Sequence, residues 1–458
     1  MINITKKEKI DIKEKTLSII GIGKSGSSAA KLAHYLGARV FASDSNTNIP
    51  TNVAANELFD LGIGIETGVH SNRVYESDLC VVSPGISKHS KVISKALDCG
   101  IPVVGEIEFA SWFTTSPIIA VTGSNGKTTT VKLLKKIFES KDLTVSMAGN
   151  VGIPFSSLVL SELKDPNENT VYILEISSFQ MEFIKHFRPK ISVFTNISED
   201  HLDRHYSMNE YIKTKMKMVM NQEENDFIVY NLDDSCLVNK LKSNKPKLIP
   251  FSVKNNDTLF KLDHKAINYG KNEILVEIKK LKVPGTHNLY NILAASTVAN
   301  IFGISKSQIR KALMIFEGVE HRLEFVSKIN GVEYYNDSKA TNLDSVFVAV
   351  NSFIKPILLI LGGKNKGADF KKLKKIIDSN KIKQIISFGE SGREIVTAIG
   401  DAVRSEQVTD LISAVTIAQS LAIPGDVVLL SPGCASYDQY SNYEERGIHF
   451  KELVFSKV

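Results

Sequence analysis

The chain has 458 residues, a formal net charge of +6 and 43% hydrophobic residues. This length corresponds to about three domains, and the hydrophobic content is enough to fill a core in each. The charge is mild for the size and no dense Lys/Arg block is present, which argues against binding along a nucleic-acid backbone. Residues 1–15 lack the apolar segment of a signal peptide, and the longest apolar runs are of strand length. We expect a cytoplasmic protein without membrane insertion.

The cysteines give no sign of a cross-linked or zinc-stabilised fold. Cys80, Cys99, Cys236 and Cys434 are scattered, with no C-x-x-C pair among them. This pattern argues against a zinc site or a disulfide framework and suits a reducing compartment. We expect four inert thiols in the core.

Short apolar runs alternate with amphipathic stretches of helical period along the whole chain. This alternation is typical of α/β folds with parallel sheets. It predicts three domains, over residues 1–110, 111–317 and 318–458. Their main strands are expected at residues 16–20, 40–42, 79–82, 117–120, 171–174, 191–194, 357–361, 385–388 and 427–430.

A glycine-rich turn opens the first predicted domain. Gly21-Ile22-Gly23-Lys24-Ser25-Gly26 lies between a predicted strand and a helical pattern at residues 27–36, and Asp44 follows the next strand. This is the dinucleotide-binding fingerprint in its expected context. The helix N-terminus recognises a diphosphate and does not require nicotinamide, so NAD, a nucleotide-diphosphate sugar and a turn used only for packing all remain open. Ser83-Pro84-Gly85 also follows a strand, where open α/β sheets bind ligands.

A phosphate-binding loop is predicted at the start of the second domain. The segment Val121-Thr122-Gly123-Ser124-Asn125-Gly126-Lys127-Thr128-Thr129-Thr130 follows an apolar run and leads into a helical pattern that begins at Val131. Its glycines allow backbone N–H groups to face phosphate oxygens, Lys127 can reach the terminal phosphates, and the Thr128 hydroxyl can bind Mg²⁺. Val121 stands where the general G-x-x-x-x-G-K-[ST] pattern has glycine. The loop therefore predicts a nucleoside triphosphate site without fixing the class of enzyme.

Two further metal-ligand candidates follow strands of the same domain. Glu175 comes directly after the strand at 171–174, and His201 follows the segment that begins with the strand at 191–194. Carboxylate oxygens are ligands that Mg²⁺ prefers, whereas a histidine suggests a second, phosphate-bridging ion. Read separately, each residue could equally be an ordinary polar side chain.

Taken together, motifs in this order resemble the Mur ligases of peptidoglycan synthesis. They extend from Gly21 to Gly447 and therefore cover nearly the whole chain. Besides the two glycine-rich loops they comprise Glu175-Ile176-Ser177-Ser178-Phe179-Gln180, Asn196 to His205, Gly285-Thr286-His287-Asn288, His321-Arg322, Asn336 to Asn342, and Leu430 to Gly447.

The resemblance implies a reaction and an architecture. The implied enzyme is an ATP-dependent ligase that joins D-glutamate to UDP-N-acetylmuramoyl-L-alanine through an acyl phosphate, as a monomer acting on small molecules. It would use Mg²⁺ at two sites and a lysine carbamylated by CO₂. The implied fold is a Rossmann-like N-terminal domain, a central P-loop ATPase-type domain with a mostly parallel sheet, and a Rossmann-like C-terminal domain.

The resemblance also implies roles for individual residues. Lys127, His201, Lys215 and Lys339 would be catalytic, and Thr128, Glu175, His201 and Lys215 would bind metal. Residues implied to bind ATP are Gly123, Ser124, Asn125, Gly126, Lys127, Thr128, Thr129, Asn288, Asn291, Arg322 and Asp337. Residues implied to bind the uridine-diphosphate substrate are Ser25, Asp44, Ser83, Gly85, Asn150, Ser177 and Gln180. Residues implied to bind the amino acid are Lys339, Thr341, Lys366, Ser436 and Tyr443.

Lys215 is singled out by the resemblance alone. It is one of three lysines on a predicted helix, and the helical pattern by itself predicts a solvent-exposed side chain. The resemblance implies that it carries a carbamate, whose two anionic oxygens can bind Mg²⁺ where an ammonium cannot.

Other functions remain as alternatives at this point. A nicotinamide dehydrogenase would use residues 21–26 but leave the phosphate loop without a role. A regulatory P-loop switch would hydrolyse ATP without an amine substrate. Within the ligases, a sibling adding another amino acid, or a folylpolyglutamate-type enzyme using L-glutamate, would carry similar loops.

Overall fold

The structure is a computed structural model that describes residues 2, 10–139, 143–200, 202–241, 245–270, 273–283, 285–377 and 381–456. The chain divides into two compact units, Met1–Ile278 with Tyr290–Met314 and Lys279–Leu289 with Ile315–Val458. Both units are built from sheets flanked by helices, so the predicted α/β class is confirmed. The two predicted domain boundaries, at 110/111 and 317/318, stay predictions.

A five-stranded parallel sheet begins the first unit, with strand order β3-β2-β1-β4-β5. The strand order reverses at β1 and β4, the point where doubly wound sheets bind ligands. The glycine turn after β1 and the Ser83 turn after β4 therefore lie together. The elements are β1 (Thr16–Ile20), α1 (Lys24–Tyr35), β2 (Arg39–Asp44), α2 (Ile49–Phe59), β3 (Gly64–Thr67), β4 (Leu79–Val82), α3 (Lys91–Asp98), β5 (Val103–Gly105) and α4 (Glu106–Ser111).

The second sheet of this unit has six parallel strands in the order β11-β10-β9-β6-β8-β7. β6 lies between β8 and β9, so the phosphate loop after β6 has the ends of both strands beside it. The first elements are β6 (Ile118–Thr122), α5 (Lys127–Phe138), β7 (Thr144–Gly149), α6 (Phe155–Lys164), β8 (Thr170–Glu175), α7 (Ser178–Met181) and β9 (Ile191–Phe194). Helix α5 starts at Lys127, four residues before the predicted helical pattern, because the loop leads directly into its first turn.

The remaining elements of this region complete the six-stranded sheet and add a small antiparallel one. They are α8 (Leu202–His205), α9 (Met208–Met216), β10 (Phe227–Asn231), α10 (Ser235–Lys240), β11 (Lys247–Phe251), β12 (Phe260–Leu262), β13 (Ala266–Tyr269), β14 (Glu273–Glu277), α11 (Thr286–Ile301) and α12 (Lys306–Ile315). Strands β12, β13 and β14 form the antiparallel sheet.

A buried carboxylate fixes α4 to the segment that leads into β9 of the second sheet. Glu108 accepts hydrogen bonds from the backbone N–H groups of residues 185, 186 and 187, at 3.0, 2.7 and 2.8 Å, and from Trp112 Nε1 at 2.7 Å. Four donors compensate the cost of burying this charge. The helix that ends at the predicted domain boundary is therefore packed and hydrogen bonded to the segment before β9.

The second unit contains a mixed six-stranded sheet with the order β15-β16-β20-β17-β18-β19. Only β15 runs antiparallel to its neighbour. Leu359, Leu429 and Ile386 of the central strands are fully buried, as their continuous apolar runs predicted. The elements are β15 (Glu324–Ile329), β16 (Val332–Asn336), α13 (Leu343–Asn351), β17 (Ile357–Gly362), α14 (Lys374–Ile377), β18 (Ile382–Phe388), α15 (Gly392–Ile399), β19 (Ser405–Gln407), α16 (Leu411–Leu421), β20 (Val427–Gly433) and α17 (Tyr443–Phe455).

The cysteine prediction is only half correct. All four cysteines are free, and Cys80 and Cys434 are buried, which raises the pKa of each thiol to about 11. Cys99 is exposed because it follows the last turn of α3, and Cys236 is partly exposed in the first turn of α10, whose buried residue is Leu237. In the part of the chain that the structure describes, no helix is long and apolar enough to span a bilayer.

A second buried carboxyl group lies between α4 and α6. Glu106 Oε1 accepts the backbone N–H of Ser156 at 2.5 Å. Glu106 Oε2 and Ser156 Oγ are buried without a hydrogen-bond partner among the described residues. Burial raises the pKa of Glu106 to about 7, against an ordinary value of 4.5.

We expect this carboxyl group to make stability depend on pH. Between about pH 4.5 and pH 7 the folded protein holds a proton that the unfolded chain releases. The contribution of Glu106 to the free energy of unfolding is therefore complete at low pH and falls by roughly 3 kcal/mol as the pH rises through this interval. Urea unfolding of wild type and Glu106→Gln at pH 5, 6, 7 and 8 should show this decline only in the wild type. A control, Glu168→Gln at an exposed position, should follow the wild-type profile, and parallel profiles for Glu106→Gln would contradict the expectation.

Candidate active site

The phosphate loop is held in a conformation that only glycine adopts easily. Gly123 and Gly126 have φ values of +151° and +86°. A side chain at Gly123 would collide with the Thr195 hydroxyl, and one at Gly126 would collide with the Asn291 side chain. Both glycines are therefore required by backbone strain and by close packing.

The turn after β9 forms one wall of the loop. Ser124 N donates to Asn196 O at 2.9 Å, and Asn125 N donates to Asn196 Oδ1 at 2.9 Å. In return, Asn196 Nδ2 and Thr195 Oγ1 donate to Asn125 O at 3.0 and 2.5 Å. These bonds fix the loop before any ligand binds. The resemblance had drawn attention to Asn196, but nothing in the sequence marked Thr195.

Two lysines converge on the same loop. Lys127 Nζ donates to the carbonyl oxygens of Gly123 and Ser124 at 2.7 and 2.8 Å. Lys215 Nζ lies on the other side and donates to Gly123 O at 3.1 Å and to Thr122 Oγ1 at 3.3 Å. The loop thus accepts hydrogen bonds from two lysine side chains.

Lys215 is almost completely buried, with 1% of the residue exposed. The exposed position that the helical pattern predicted is therefore wrong, because α9 turns this residue toward the loop and leaves Lys213 at the surface. Burial, reinforced by the charge of Lys127, lowers the pKa of Lys215 well below its ordinary value. The Nζ atom also lies 4.7 Å from the centre of the Tyr211 ring.

Glu175 presents a free carboxylate oxygen beside the loop. The residue is buried; its Oε1 accepts Asn150 Nδ2 at 2.8 Å, and its Oε2 has no hydrogen-bond partner in the described part of the chain. An unpartnered buried carboxylate oxygen, with the Thr128 hydroxyl at the start of α5, is a donor set that suits Mg²⁺. His201, the other predicted ligand, lies outside the described residues. The described residues contain no cluster of three His, Cys, Asp or Glu side chains that could hold a metal by itself.

Ser177 and Gln180 form reciprocal hydrogen bonds at the start of α7. Ser177 Oγ accepts the backbone N–H of Gln180, and Gln180 Oε1 accepts the backbone N–H and the hydroxyl of Ser177 at 3.0 and 3.1 Å. This reciprocal capping box explains why both residue types occur at this spacing. Asn150 differs, since its side chain bonds Glu175 and so lies next to the metal-ligand candidate.

The two turns of the first sheet meet at its carboxyl edge. Ser83 Oγ donates to Gly21 O at 2.8 Å, and Asp44 accepts the N–H of Ile22 at 2.7 Å. The other oxygen of Asp44 accepts from Asn46. Asp44 thus braces the glycine turn, in addition to the substrate-binding role that the resemblance implies for it.

The space beside the glycine turn is open. A side chain at Gly23 or Gly85 would meet no atom within 4 Å, and Ser25 in the first turn of α1 is partly exposed. The N-terminus of α1 therefore has room for an anion.

The adenine candidates lie near the start of α11. The Asn291 side chain accepts the Thr130 hydroxyl at 3.3 Å and is buried against the phosphate loop. Asn288 is also buried, and its N–H donates to Gly285 O at 3.0 Å. Thr129 is buried in the first turn of α5.

In the second unit, Arg322 and Asp337 form a pair. Arg322 Nε lies 3.9 Å from Asp337 Oδ1, and Asp337 also accepts Leu323 N at 3.1 Å and Ser431 Oγ at 2.9 Å. Burial outweighs these partners and raises the pKa of Asp337 to about 6.

The amino-acid candidates occupy the loops after β16, β17 and β20. Lys339 Nζ lies 5.5 Å from the centre of the Tyr443 ring, and Lys366 Nζ lies 5.2 Å from that of Tyr437. Lys366 is exposed, Lys339 and Thr341 are partly buried and Ser436 is buried.

Arg446 joins these loops and was not predicted as a site residue. It is fully buried, and it donates to Ser338 Oγ and O at 3.0 and 2.8 Å, to Cys434 O at 3.2 Å and to Gly362 O, at the end of β17, at 3.5 Å. Burial lowers the pKa of its guanidinium to about 10. A signal was available, because Arg446 shares the buried face of α17 with Phe450 and Val454 at intervals of four residues.

Three family models match successive parts of the chain. Residues 15–105 match the Mur ligase MurD-like N-terminal domain, residues 121–299 match the Mur ligase middle domain, and residues 321–434 match the Mur ligase glutamate ligase domain.

Relatives match along nearly the full length. The UDP-N-acetylmuramoylalanine–D-glutamate ligases of Caldanaerobacter subterraneus subsp. tengcongensis and Natranaerobius thermophilus are each 40% identical over 453 residues, covering 97% and 96% of this chain and 99% and 97% of those proteins. Among solved structures, the UDP-N-acetylmuramate-alanine ligase of Thermotoga maritima has a TM-score of 0.61 at 19% identity, covering 97% of this chain and 100% of that one. The MurF ligase of the same organism, solved with ADP, has a TM-score of 0.58 at 16% identity, covering 99% and 98%. These two structures share the fold.

Proposed function

The chain belongs to the Mur ligase family, and we propose that it is the ATP-dependent ligase that joins D-glutamate to UDP-N-acetylmuramoyl-L-alanine in peptidoglycan synthesis. The relatives that are 40% identical along their full length carry this activity in their names. The single structural observation that supports the proposal is that Lys127 and Lys215 both donate to one glycine-rich loop, with Glu175 at the end of the strand next to β6. In this assignment the glycine turn after β1 receives a uridine diphosphate, and the dehydrogenase alternative loses its support.

The reaction proceeds in two steps that this site can assist. The carboxylate of the L-alanyl group attacks the γ-phosphorus of ATP, which gives an acyl phosphate and ADP. The amine of D-glutamate then attacks the acyl carbon, phosphate leaves, and the amine proton passes to solvent. All three reactants are anionic, so their mutual repulsion is the main cost of bringing them together.

The residues of the loop reduce this cost. Backbone N–H groups at the start of α5 and the Lys127 ammonium bind the triphosphate. Because the walls of the loop are already hydrogen bonded to Asn196 and Thr195, little reorganisation is needed when ATP binds. Mg²⁺ held by Thr128 and Glu175, with a second ion near His201, would neutralise further charge on the phosphates.

Lys215 is proposed to be carbamylated. The reaction with CO₂ requires a neutral amine: the nitrogen lone pair attacks the carbon of CO₂, a C–N bond forms and one proton is released. The burial that lowers the pKa of Lys215 makes the neutral amine available. The product is an anion beside Lys127, whose positive charge stabilises it, and its oxygens can bind the second metal ion with His201.

The amino-acid pocket is proposed to lie in the second unit. Lys339, Thr341, Lys366, Ser436 and Tyr443 would bind D-glutamate, whose two carboxylates suit ammonium and hydroxyl donors. Arg322 and Asp337 would contact the phosphate and ribose of ATP. We further propose that the enzyme is a cytoplasmic monomer that acts only on small molecules.

The function is tested by following ADP and phosphate release with ATP, Mg²⁺, UDP-N-acetylmuramoyl-L-alanine and a panel of amino acids. We expect turnover with D-glutamate and little with L-glutamate, L-lysine, L-alanine or diaminopimelate. Turnover with another member of the panel would assign the chain to a sibling ligase. Phosphate release without any amine would favour a regulatory ATPase.

Lys366 should matter for the amino acid and not for ATP. If its ammonium binds a glutamate carboxylate, Lys366→Ala removes a charged hydrogen bond of about 1.5–3 kcal/mol, and the KM for D-glutamate rises about 10-fold to 150-fold. The KM for ATP should change less than about twofold. Lys364→Ala, at an exposed position in the same loop, is the matched control. An unchanged KM for D-glutamate would show that Lys366 is an ordinary exposed lysine that does not bind the amino acid.

Lys215→Arg should abolish ligation although it keeps the positive charge, because a guanidinium cannot form the carbamate. Lys213→Arg on the exposed face of the same helix should remain active. Wild-type enzyme stripped of CO₂ should lose activity and recover it when bicarbonate is added. ¹³C NMR with ¹³CO₂ should show a carbamate signal that is absent from Lys215→Arg. A fully active Lys215→Arg enzyme would rule out the carbamate.

A further inference from the structure

Arg204 connects the two sheets of the first unit at their ligand-binding edges. It lies in α8, three residues after His201, and its side chain is 15% exposed. Its guanidinium donates to three consecutive backbone carbonyls after β4, those of Pro84, Gly85 and Ile86, at 3.3, 3.3 and 3.0 Å. We call residues 83–86 the substrate loop, because Ser83 and Gly85 are assigned to the uridine-diphosphate site.

The same guanidinium is held from the central domain. Glu182, whose side chain is 1% exposed, accepts from Arg204 Nε and Nη2 at 3.0 and 2.8 Å. The guanidinium also lies 4.5 Å from the centre of the Phe179 ring. A bidentate carboxylate and an aromatic face fix the plane of the arginine, so the positions of its outward N–H groups are set before the substrate loop meets them.

A second contact reinforces the connection. Tyr206, with a left-handed φ of +61°, lies with its ring 5.6 Å from that of His89, three residues beyond the substrate loop. Such a conformation is uncommon for a bulky residue and has to be maintained by its surroundings.

The connection continues to the phosphate loop. His205 Nε2 lies 2.9 Å from Ser178 Oγ, and the His205 ring packs 5.4 Å from that of Tyr211. The Tyr211 hydroxyl is 3.0 Å from Ser124 Oγ in the phosphate loop. A continuous set of contacts thus runs from the substrate loop through α8 and α9 to the loop that binds ATP.

We propose that Arg204 is a positioning residue that sets the substrate loop at a fixed distance from the phosphate loop, so that a substrate bound at the first sheet presents its carboxylate to ATP. This inference rests on the proposed function. The acceptors are main-chain carbonyls, so the contact does not depend on the side chains of the loop. Lysine cannot replace arginine here, because one ammonium cannot reach three carbonyls while also holding both carboxylate oxygens of Glu182.

The test compares variants that separate the effect of Arg204 on the position of the substrate loop from its effect on the stability of the fold. Arg204→Met alone leaves Glu182 buried without its partner and could prevent folding. The double variant Arg204→Met/Glu182→Gln removes that charge as well, and Glu182→Gln alone keeps the arginine but removes one of its two carboxylate acceptor oxygens. Arg188→Met is a control in the same domain, because Arg188 also pairs with carboxylates, Glu223 and Asp226, but donates no hydrogen bond to the substrate loop.

We expect the double variant to raise the KM for UDP-N-acetylmuramoyl-L-alanine about tenfold or more, as for the loss of charged hydrogen bonds, with the KM for ATP and D-glutamate changed less than about twofold. Arg204→Lys and Glu182→Gln should give intermediate KM values, because each weakens the clamp that orients the side chain, and Arg188→Met should stay near wild type. Without any ligand, hydrogen–deuterium exchange over residues 83–90 should be faster in the double variant and unchanged in Arg188→Met.

Wild-type KM values together with wild-type exchange in a folded double variant would overturn the inference. Faster exchange with an unchanged substrate KM would also overturn it, because Arg204 would then only stabilise the loop. If the wild-type enzyme shows no D-glutamate-dependent ADP release, the proposed function fails. The role of Arg204 is then decided by the KM for the uridine-diphosphate substrate, measured with the amino acid that does support turnover, and by the hydrogen–deuterium exchange measured without ligand.

Discussion

The close approach of the phosphate loop to the ends of its neighbouring strands is the constraint on which the site depends. There is no room for a side chain at Gly123, because the Thr195 hydroxyl occupies that space. The backbone N–H of Asn125 donates to Asn196, and its carbonyl oxygen accepts from Thr195. The parallel order β9-β6-β8 makes this possible, since all three strands end at one edge. The same strand order places Glu175 beside the phosphate loop. Helix α9 contributes Lys215, which donates a hydrogen bond to the carbonyl oxygen of Gly123 in the loop.

The buried charged side chains differ in how completely they are hydrogen bonded. This difference distinguishes residues that hold the fold together from residues of the candidate active site. Glu108 and Arg446 are buried with several hydrogen bonds each, and they fix one connection between sheets and one group of loops. Among the described residues, one oxygen of Glu175 has no hydrogen-bond partner, and Lys215 donates two hydrogen bonds, at 3.1 and 3.3 Å. Incompletely satisfied charges of this kind are costly, and they are commonly retained where a ligand or a modification completes them.

The first sheet illustrates how little a fold alone says about function. Its glycine turn has the sequence and surroundings of a dinucleotide-binding site, and Asp44 stands where a ribose-binding acid is expected. In the structure Asp44 braces the turn through Ile22 and Asn46. Only the second glycine-rich loop and the family membership distinguish a ligase from a dehydrogenase, because both use the same anion-binding geometry.

The sequence by itself determined the α/β class, the strands with continuous apolar runs and both glycine-rich loops, because these depend on local periodicity and on residues with unusual backbone freedom. It also singled out Lys215 by resemblance, but its helical pattern placed that side chain in solvent. Only the tertiary structure decided that Lys215 is buried, that Arg446 joins three loops and that Arg204 meets the substrate loop. These contacts join residues about 90 to 120 positions apart, and short-range periodicity carries no information about which distant strands end at the same edge.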